Sequence, residues 1–169
     1  MYASTLVLGG ARSGKSVYAE NLVLASEKSK VYIATGQAFD DEMVERIDEH
    51  KARRGGEWRT IEAPIDVCGA LENRCEGTAV LIDCVTLWIS NLMADERDIV
   101  REVEQLCDVI GSLKCDLTIV SNEVGLGIVP ENALARKFRD EAGRANQMIA
   151  AACDKVVFMA AGLPLDMKG

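Results

Sequence analysis

Short apolar runs alternate with longer segments of helical periodicity along the chain. The runs are rich in β-branched residues, as is typical of strands covered on both faces in a parallel sheet. They fall at 5–8, 31–35, 80–83, 117–121 and 156–159, with a minor edge strand at 58–62. Helical patterns lie at 16–27, 40–54, 65–74, 97–113 and 134–152. The alternation predicts a single α/β domain over residues 1–169, with a doubly wound, mostly parallel sheet between two layers of helices.

A phosphate-binding loop follows the first predicted strand and opens the first predicted helix. It fills every fixed position of the pattern G-x-x-x-x-G-K-[ST] with Gly9, Gly10, Ala11, Arg12, Ser13, Gly14, Lys15 and Ser16. Such a loop turns consecutive backbone N–H groups towards a polyphosphate, and the following helix adds its positive end. We expect Lys15 to reach the β- and γ-phosphates and the Ser16 hydroxyl to bind Mg²⁺. The motif predicts a P-loop NTPase domain of the RecA-like type, with its ligand at the carboxyl ends of the strands.

An acidic residue, Asp83, ends the predicted strand at 80–83. A phosphate loop needs a carboxylate opposite the phosphates to hold Mg²⁺ or a water bound to it. Strands also end in aspartate for local reasons, because its side chain caps turns. Metal binding by Asp83 is the favoured interpretation, since a phosphate loop lies upstream.

The only histidine, His50, lies in a predicted helix among basic residues. One interpretation is structural: the imidazole packs at the edge of an amphipathic helix whose cations are solvated. The other is catalytic, because an imidazole beside cations and near a bound triphosphate can attack phosphorus while the cations neutralise the developing charge. Gly55 and Gly56 end this helix sharply, which allows it to swing. The neighbouring cations are Arg46, Lys51, Arg53 and Arg54.

A glycine-punctuated loop at 121–130 leads from the fifth predicted strand into the last predicted helix. We expect the core stripe of that helix to be Leu134, Phe138, Ala142, Ala145, Ile149 and Ala152. Arg139, Gly143 and Asn146 form a separate line on it. A glycine in mid-helix costs about 1 kcal/mol relative to alanine. Gly143 therefore indicates either close approach of a ligand or another backbone, or a tight contact between helices.

Composition narrows the function classes. The 169 residues are 49% hydrophobic and 27% charged, with a formal net charge of −8, so nucleic acid or an anionic membrane is not expected as the main partner. No apolar run approaches the about 20 residues that span a bilayer. The six cysteines include no C-x-x-C pair and are expected to be reduced thiols. With the first strand starting at the N-terminus, these features predict a cytoplasmic protein.

These motifs together resemble the bifunctional adenosylcobinamide kinase/adenosylcobinamide-phosphate guanylyltransferase family of cobalamin biosynthesis. The resemblance runs through nearly the whole chain, at 9–16, 32–35, 40–43, 46–50, 58–62, 121–130 and 138–147. The phosphate loop is shared by many families, whereas the segment around His50 and the run Asn-Glu-Val-Gly-x-Gly-Ile-Val-Pro are much more specific. Gly36 stands where some relatives have serine, and Asp83 where some have glutamate.

The resemblance implies two reactions. ATP or GTP first phosphorylates the aminopropanol hydroxyl of adenosylcobinamide; GMP from GTP is then transferred to that phosphate through a histidine adduct, for which His50 is in the matching position. It also implies a homotrimer, while Mg²⁺ is the cofactor expected from the phosphate loop itself. The nucleotide contacts it implies beyond the phosphate loop are Ala34, Thr35, Gly36, Lys51, Ala52, Arg53, Arg54, Glu62 and Asp83.

Two other functions fit parts of the chain. A small-metabolite or nucleoside-monophosphate kinase without guanylyl transfer would use the phosphate loop and leave His50 incidental. A nucleotide-dependent switch is disfavoured, because the chain lacks an Asn-Lys-x-Asp motif for guanine and no Asp-x-x-Gly switch directly follows the third main strand, at 80–83. Release of pyrophosphate from GTP separates the guanylyltransferase from both alternatives.

Overall fold

The computed structural model describes residues 2–37, 55–72 and 76–169. In these ranges the strands are β1 (Ser4–Gly9), β2 (Ser29–Ala34), β3 (Trp58–Glu62), β4 (Thr78–Asp83), β5 (Asp116–Asn122), β6 (Lys155–Ala160) and β7 (Leu163–Lys168). The α-helices are α1 (Lys15–Leu24), α2 (Val67–Glu72), α3 (Val85–Ala94), α4 (Ile99–Ser112) and α5 (Ala133–Ala152), and a short 3₁₀ helix, Gly55–Glu57, precedes β3.

The strands form one sheet in the order β3-β2-β4-β5-β1-β6-β7. β1 to β6 are parallel, and β7 runs antiparallel to β6. The six parallel strands therefore end at one edge of the sheet, the edge at which open α/β sheets bind ligands. β5 lies between β1, which leads into the phosphate loop, and β4, which ends at Asp83.

Side chains that alternate along the strands build two hydrophobic cores, one on each face of the sheet. Leu6, Ile33 and Ile82 face one core, to which α2, α3, α4 and α5 all contribute. Their sequence neighbours Val7 and Leu81 face the other core, which α1 covers. Helices thus lie on both faces of a mostly parallel sheet, and the predicted three-layer α/β fold is confirmed.

All six predicted strands are present, but the sequence prediction missed β7 and α3. β7 is exposed along its whole length and contains Pro164. An edge strand tolerates proline because one side of its backbone needs no ladder hydrogen bond. α3 is apolar on nearly all sides and carries no side-chain cap, so it has no amphipathic signature. The predicted helix at 40–54 lies outside the described residues.

The core stripe predicted for α5 is correct except at its first residue, Leu134, since Phe138 and Ala152 also pack, partly buried, against the core. Ala142, Ala145 and Ile149 are buried, whereas Leu134 is 67% exposed. A helix of 20 residues is about 30 Å long, and the seven residues of β5 span about 23 Å. The first turn of α5, capped by the Asn132 side chain, therefore has no sheet to pack against.

A Cβ atom on Gly143 would meet no atom of the described chain within 4 Å. The tight helix–helix contact considered for this position is thus absent among the described residues, and approach of a ligand or another backbone stays a prediction. Across the described ranges, no helix combines the length and apolar character that crossing a membrane requires.

Candidate active site

The phosphate loop has the local geometry that its glycines allow. Gly14 adopts a φ of +92°, and a Cβ atom there would lie 3.2 Å from the Cα of Gly162 in the β6–β7 turn. A Cβ atom on Gly9 would lie 2.7 Å from the carbonyl oxygen of Met159. Both positions require glycine, Gly14 for its left-handed backbone and Gly9 for the close approach of β6. The Gly162 N–H donates to the Ser13 carbonyl at 2.9 Å and so holds the loop against that turn.

Polar side chains of the loop are placed to meet an anion. Lys15 is buried, and its Nζ donates to the Gly10 carbonyl at 2.9 Å, which holds the ammonium group against the loop. The Ser13 hydroxyl is buried and has no hydrogen-bond partner among the residues that the structure describes. Within the described ranges the half-buried Ser16 hydroxyl also makes no hydrogen bond. A buried hydroxyl without a partner is costly, and a bound phosphate group would satisfy it.

Asp83 ends β4 at the same edge of the sheet as the phosphate loop. Its Oδ2 accepts a hydrogen bond from the Tyr32 hydroxyl at 3.1 Å. The next residue, Cys84, is buried, and its thiol has a pKa raised to about 11, first by burial and then by the Asp83 charge. Lys15 acts on the same thiol in the opposite direction. Both predicted charged groups therefore lie near enough to Cys84 to act on its thiol.

The loop after β2 is fastened to the end of β4. The Thr35 hydroxyl accepts from the Cys84 N–H and donates to the Cys84 carbonyl, both at 2.8 Å. The backbone N–H of Thr35 donates to the Asp83 carbonyl at 3.2 Å. Thr35 is fully buried, so its side chain supports the loop from within and leaves Ala34 and Gly36 at the surface of the site.

The strand order decides how far the predicted nucleotide contacts lie from the phosphate loop. At about 4.8 Å per strand, the axis of β4 lies about 10 Å from β1, β2 about 14 Å and β3 about 19 Å. Ala34 pairs with Asp83 on one side and with Glu62 on the other. Asp83 is thus near the phosphate loop, whereas Glu62, exposed at the end of β3, lies far along the edge.

A polar network that no sequence motif marks lies beneath the site. Asn91 of α3 is buried, and its side-chain amide donates to the carbonyls of Thr35 at 2.8 Å and Pro64 at 2.9 Å, joining the loops after β2 and β3. The Asn146 amide donates to the Asn122 carbonyl at 3.2 Å. Asn122 in turn donates to the Thr86 hydroxyl at 2.6 Å. Asn146, which was predicted on a line beside the core stripe, is part of this support.

The loop after β5 passes directly beside the phosphate loop. Asn122 pairs with Gly9, and the Glu123 N–H donates to the Gly9 carbonyl at 2.9 Å. Beyond Glu123 the loop is open to solvent, with Leu126 83% and Ile128 97% exposed. A solute can therefore approach the end of β5 from outside.

The remaining predicted site residues cannot be placed. His50, Lys51, Ala52, Arg53 and Arg54 lie in 38–54, outside the described residues. Among the described residues no three metal-ligating side chains of histidine, cysteine, aspartate or glutamate converge. The five described cysteines are free, as predicted; they are Cys68, Cys84, Cys107, Cys115 and Cys153.

Comparison of the sequence with known proteins points to one family. The family described as cobinamide kinase / cobinamide phosphate guanyltransferase matches residues 5–167. The bifunctional adenosylcobalamin biosynthesis protein CobP of Pseudomonas aeruginosa is 47% identical over 167 residues, covering 97% of this chain and 96% of that protein. The protein CobU of Salmonella typhimurium, of the same description, is 41% identical over 180 residues, covering 96% and 98%.

Solved structures resemble the fold at low identity. The flagellar accessory protein FlaH of Methanocaldococcus jannaschii has a TM-score of 0.57 at 17% identity, covering 98% of this chain and 78% of that chain. An ATPase from the type III secretion system of pathogenic bacteria has a TM-score of 0.50 at 10% identity, covering 97% and 56%. These likenesses show the fold alone, an α/β domain with a mostly parallel central sheet.

Proposed function

The chain belongs to the cobinamide kinase / cobinamide phosphate guanyltransferase family, and from that premise we propose that one phosphate loop serves both reactions while His50 carries GMP between them. The enzyme is a bifunctional kinase and guanylyltransferase of adenosylcobalamin biosynthesis. The observation that carries the proposal is the phosphate loop itself, with Lys15 held against the Gly10 carbonyl and Asp83 on a nearby strand.

In the kinase reaction the described residues bind and orient the triphosphate. The loop N–H groups and Lys15 hold the β- and γ-phosphates while the hydroxyl of adenosylcobinamide attacks the γ-phosphorus. The O–P bond to the acceptor forms, the bond from the γ-phosphorus to the bridging oxygen breaks, and the nucleoside diphosphate leaves. Lys15 meets the negative charge that develops on the leaving oxygen.

Ser16 and Asp83 are the residues proposed to hold Mg²⁺. A hydroxyl and a carboxylate are oxygen ligands of the kind this ion prefers, with waters and phosphate oxygens in the other positions. The Ser16 hydroxyl makes no hydrogen bond among the described residues, and Asp83 ends a neighbouring strand at the same edge. When bound, the ion neutralises charge on the phosphate oxygens.

In the second reaction we propose that neutral His50 attacks the α-phosphorus of GTP. A P–N bond forms, the bond from the α-phosphorus to the bridging oxygen breaks, and pyrophosphate leaves. A phosphate oxygen of adenosylcobinamide phosphate then displaces the histidine, giving adenosylcobinamide-GDP. His50 is proposed for this role because it is the only imidazole in the chain and because Arg46, Lys51, Arg53 and Arg54 are near it in the sequence.

The other nucleotide contacts proposed are the backbone at Ala34–Gly36, the segment 51–54 and Glu62. ATP or GTP serves as phosphoryl donor and adenosylcobinamide as acceptor. By family resemblance we also propose a homotrimer, which sedimentation equilibrium would test, and a cytoplasmic location, where ATP and GTP are supplied.

Labelled GTP tests the proposal. Label on the α-phosphate should remain on the protein in an acid-labile, base-stable bond, and label on the γ-phosphate should not. His50→Ala should lose this adduct and guanylyl transfer but keep the kinase reaction. Lys15→Ala should lower both activities by about 10²-fold or more, because the loop holds both leaving groups.

A matched control keeps the result interpretable. Lys114 is exposed and precedes β5, so it lies at the opposite edge of the sheet, and Lys114→Ala should keep both activities. Guanylyl transfer retained in His50→Ala would refute the covalent mechanism. Equal loss of both activities in that variant would assign His50 a structural role.

A further inference from the structure

The proposed function leaves one step of the kinase reaction without a residue: the acceptor hydroxyl must give up a proton as it attacks. A carboxylate can accept this proton, as the catalytic aspartate of protein kinases does. Three described carboxylates lie at the carboxyl ends of β3, β4 and β5 or immediately after them, namely Glu62, Asp83 and Glu123.

The three carboxylates lie at different distances from the phosphate loop. Glu62 lies on β3, four strands and about 19 Å from the strand that leads into the phosphate loop. The Asp83 carboxylate accepts a hydrogen bond from the Tyr32 hydroxyl and is the proposed metal ligand. Glu123 follows β5, the strand between β4 and β1. Its backbone N–H donates a hydrogen bond to the carbonyl of Gly9, the first residue of the phosphate loop. Of the three, it is the carboxylate closest along the sheet to that loop.

The Glu123 side chain is also held in place. Its Oε1 accepts a hydrogen bond from the Gly125 N–H, and the Gly125 carbonyl accepts one from Arg139 at 3.1 Å. The loop is thereby tied to α5. Oε2 has no hydrogen-bond partner among the described residues, and no cation of these ranges lies within ion-pairing distance of the carboxylate. Glu123 is half-buried, and the exposed loop beyond it leaves an approach from solvent.

We propose that Glu123 is the catalytic base of the kinase reaction, a role that rests on the proposed function. Its carboxylate accepts the proton of the attacking hydroxyl of the acceptor, an alcohol. The hydroxyl oxygen forms its bond to the γ-phosphorus, and the electron pair of the broken bond leaves with the nucleoside diphosphate. The proton passes from Glu123 to solvent after product leaves, which restores the carboxylate.

The assignment predicts a split between the two activities. Glu123→Gln keeps the volume and an oxygen that can accept from Gly125, but removes the proton acceptor. The kcat for phosphorylation of adenosylcobinamide should fall by about 10²-fold or more. Guanylyl transfer to acceptor supplied already phosphorylated should stay within about twofold of the wild-type rate, because that acceptor has no hydroxyl proton to remove at this step.

Gly125→Ala tests the position of the carboxylate without changing its chemistry. A Cβ atom there would lie 2.8 Å from Glu123 Oε1, so the carboxylate must move. The kinase rate should fall in this variant, and Gly125→Ala added to Glu123→Gln should cause no further loss, because the two changes act on the same group. Glu131→Gln, an exposed carboxylate in the same loop region, is the matched control and should keep both activities.

The outcomes separate this inference from the proposed function. If wild-type protein phosphorylates adenosylcobinamide and Glu123→Gln does so at a similar rate, Glu123 is not the base and the proposed function stands. If both activities fall together in Glu123→Gln, the carboxylate has a structural role and the inference is overturned. If wild-type protein shows no kinase activity on adenosylcobinamide, the proposed function itself fails.

Discussion

Replacing Thr35 with valine tests whether the clamp between the β2 loop and the end of β4 stabilises the fold. The two side chains have nearly the same shape, so the change removes the hydroxyl and little else. That hydroxyl makes two hydrogen bonds of 2.8 Å to the backbone of Cys84, and Thr35 is fully buried. The variant thus isolates the polar contribution at one buried point beneath the candidate site.

The expected loss in unfolding free energy depends on whether each Cys84 backbone group keeps another hydrogen-bond partner. The Cys84 carbonyl keeps a second partner, the Trp88 N–H at 3.2 Å, so losing the Thr35 donor costs about 1 kcal/mol. The Cys84 N–H keeps no other acceptor among the described residues, and a buried donor without an acceptor costs about 1–3 kcal/mol. Thr35→Val should therefore lower the free energy of unfolding by about 2–4 kcal/mol, a large share of the 5–15 kcal/mol typical of a domain.

Equilibrium unfolding in urea measures this difference. With an m-value of about 2 kcal/mol/M, the midpoint should fall by about 1–2 M. Thr118→Val is the control: Thr118 is buried in β5, but its hydroxyl makes no hydrogen bond within the described ranges, so the midpoint should barely change. If the two variants unfold at the same urea concentration, the clamp contributes nothing and the reasoning is wrong.

Two further predictions concern Asp83 and the buried thiols. Asp83→Asn should raise the Mg²⁺ concentration needed for half-maximal activity by about tenfold or more, with little change in unfolding free energy. An unchanged Mg²⁺ requirement would show that Asp83 does not bind the metal and only caps the strand end. Burial raises the pKa of Cys84 to about 11 and that of Cys153 to about 12, from 9.0. The folded protein then keeps protons that the unfolded chain releases, so stability should decline as pH rises from about 9 towards 11. Urea unfolding at pH 8 and 10 should show a smaller decline in Cys84→Ala than in wild type, and an equal decline would contradict the assignment.

What the sequence predicted well is encoded locally. The phosphate loop needs glycines at fixed spacing between a strand and a helix, and the structure requires glycine at Gly9 and Gly14 for steric and backbone reasons. Asp83 was predicted to lie near the loop because parallel strands share one edge, and the strand order places β4 two strands from β1. A motif within one segment, or a residue at the end of a predicted parallel strand, therefore predicts local geometry directly.

What the sequence did not reveal depends on contacts between distant segments. Thr35 and Cys84 are separated by 49 positions, and Asn91 and Thr35 by 56. No periodicity marks such pairs, because each depends on which strands become neighbours. Asn91 was further hidden on α3, whose apolar composition gives no helical stripe. Glu123 was visible as part of a specific motif, but its closeness to Gly9 follows only from the pairing of β5 with β1.

In the two proposed reactions the charge of the leaving group develops on the same phosphate, the β-phosphate, although on different oxygens of it. Phosphoryl transfer breaks the bridge between the γ- and β-phosphates, and guanylyl transfer breaks the bridge between the α- and β-phosphates. In both, the leaving oxygen belongs to the β-phosphate, which the loop N–H groups and Lys15 are built to hold. One rigid loop therefore suffices for both leaving groups, and the reactions differ in their nucleophile. Lys15→Ala should lower both rates, Glu123→Gln the kinase rate alone and His50→Ala guanylyl transfer alone, a pattern that separate sites for the two reactions would not produce.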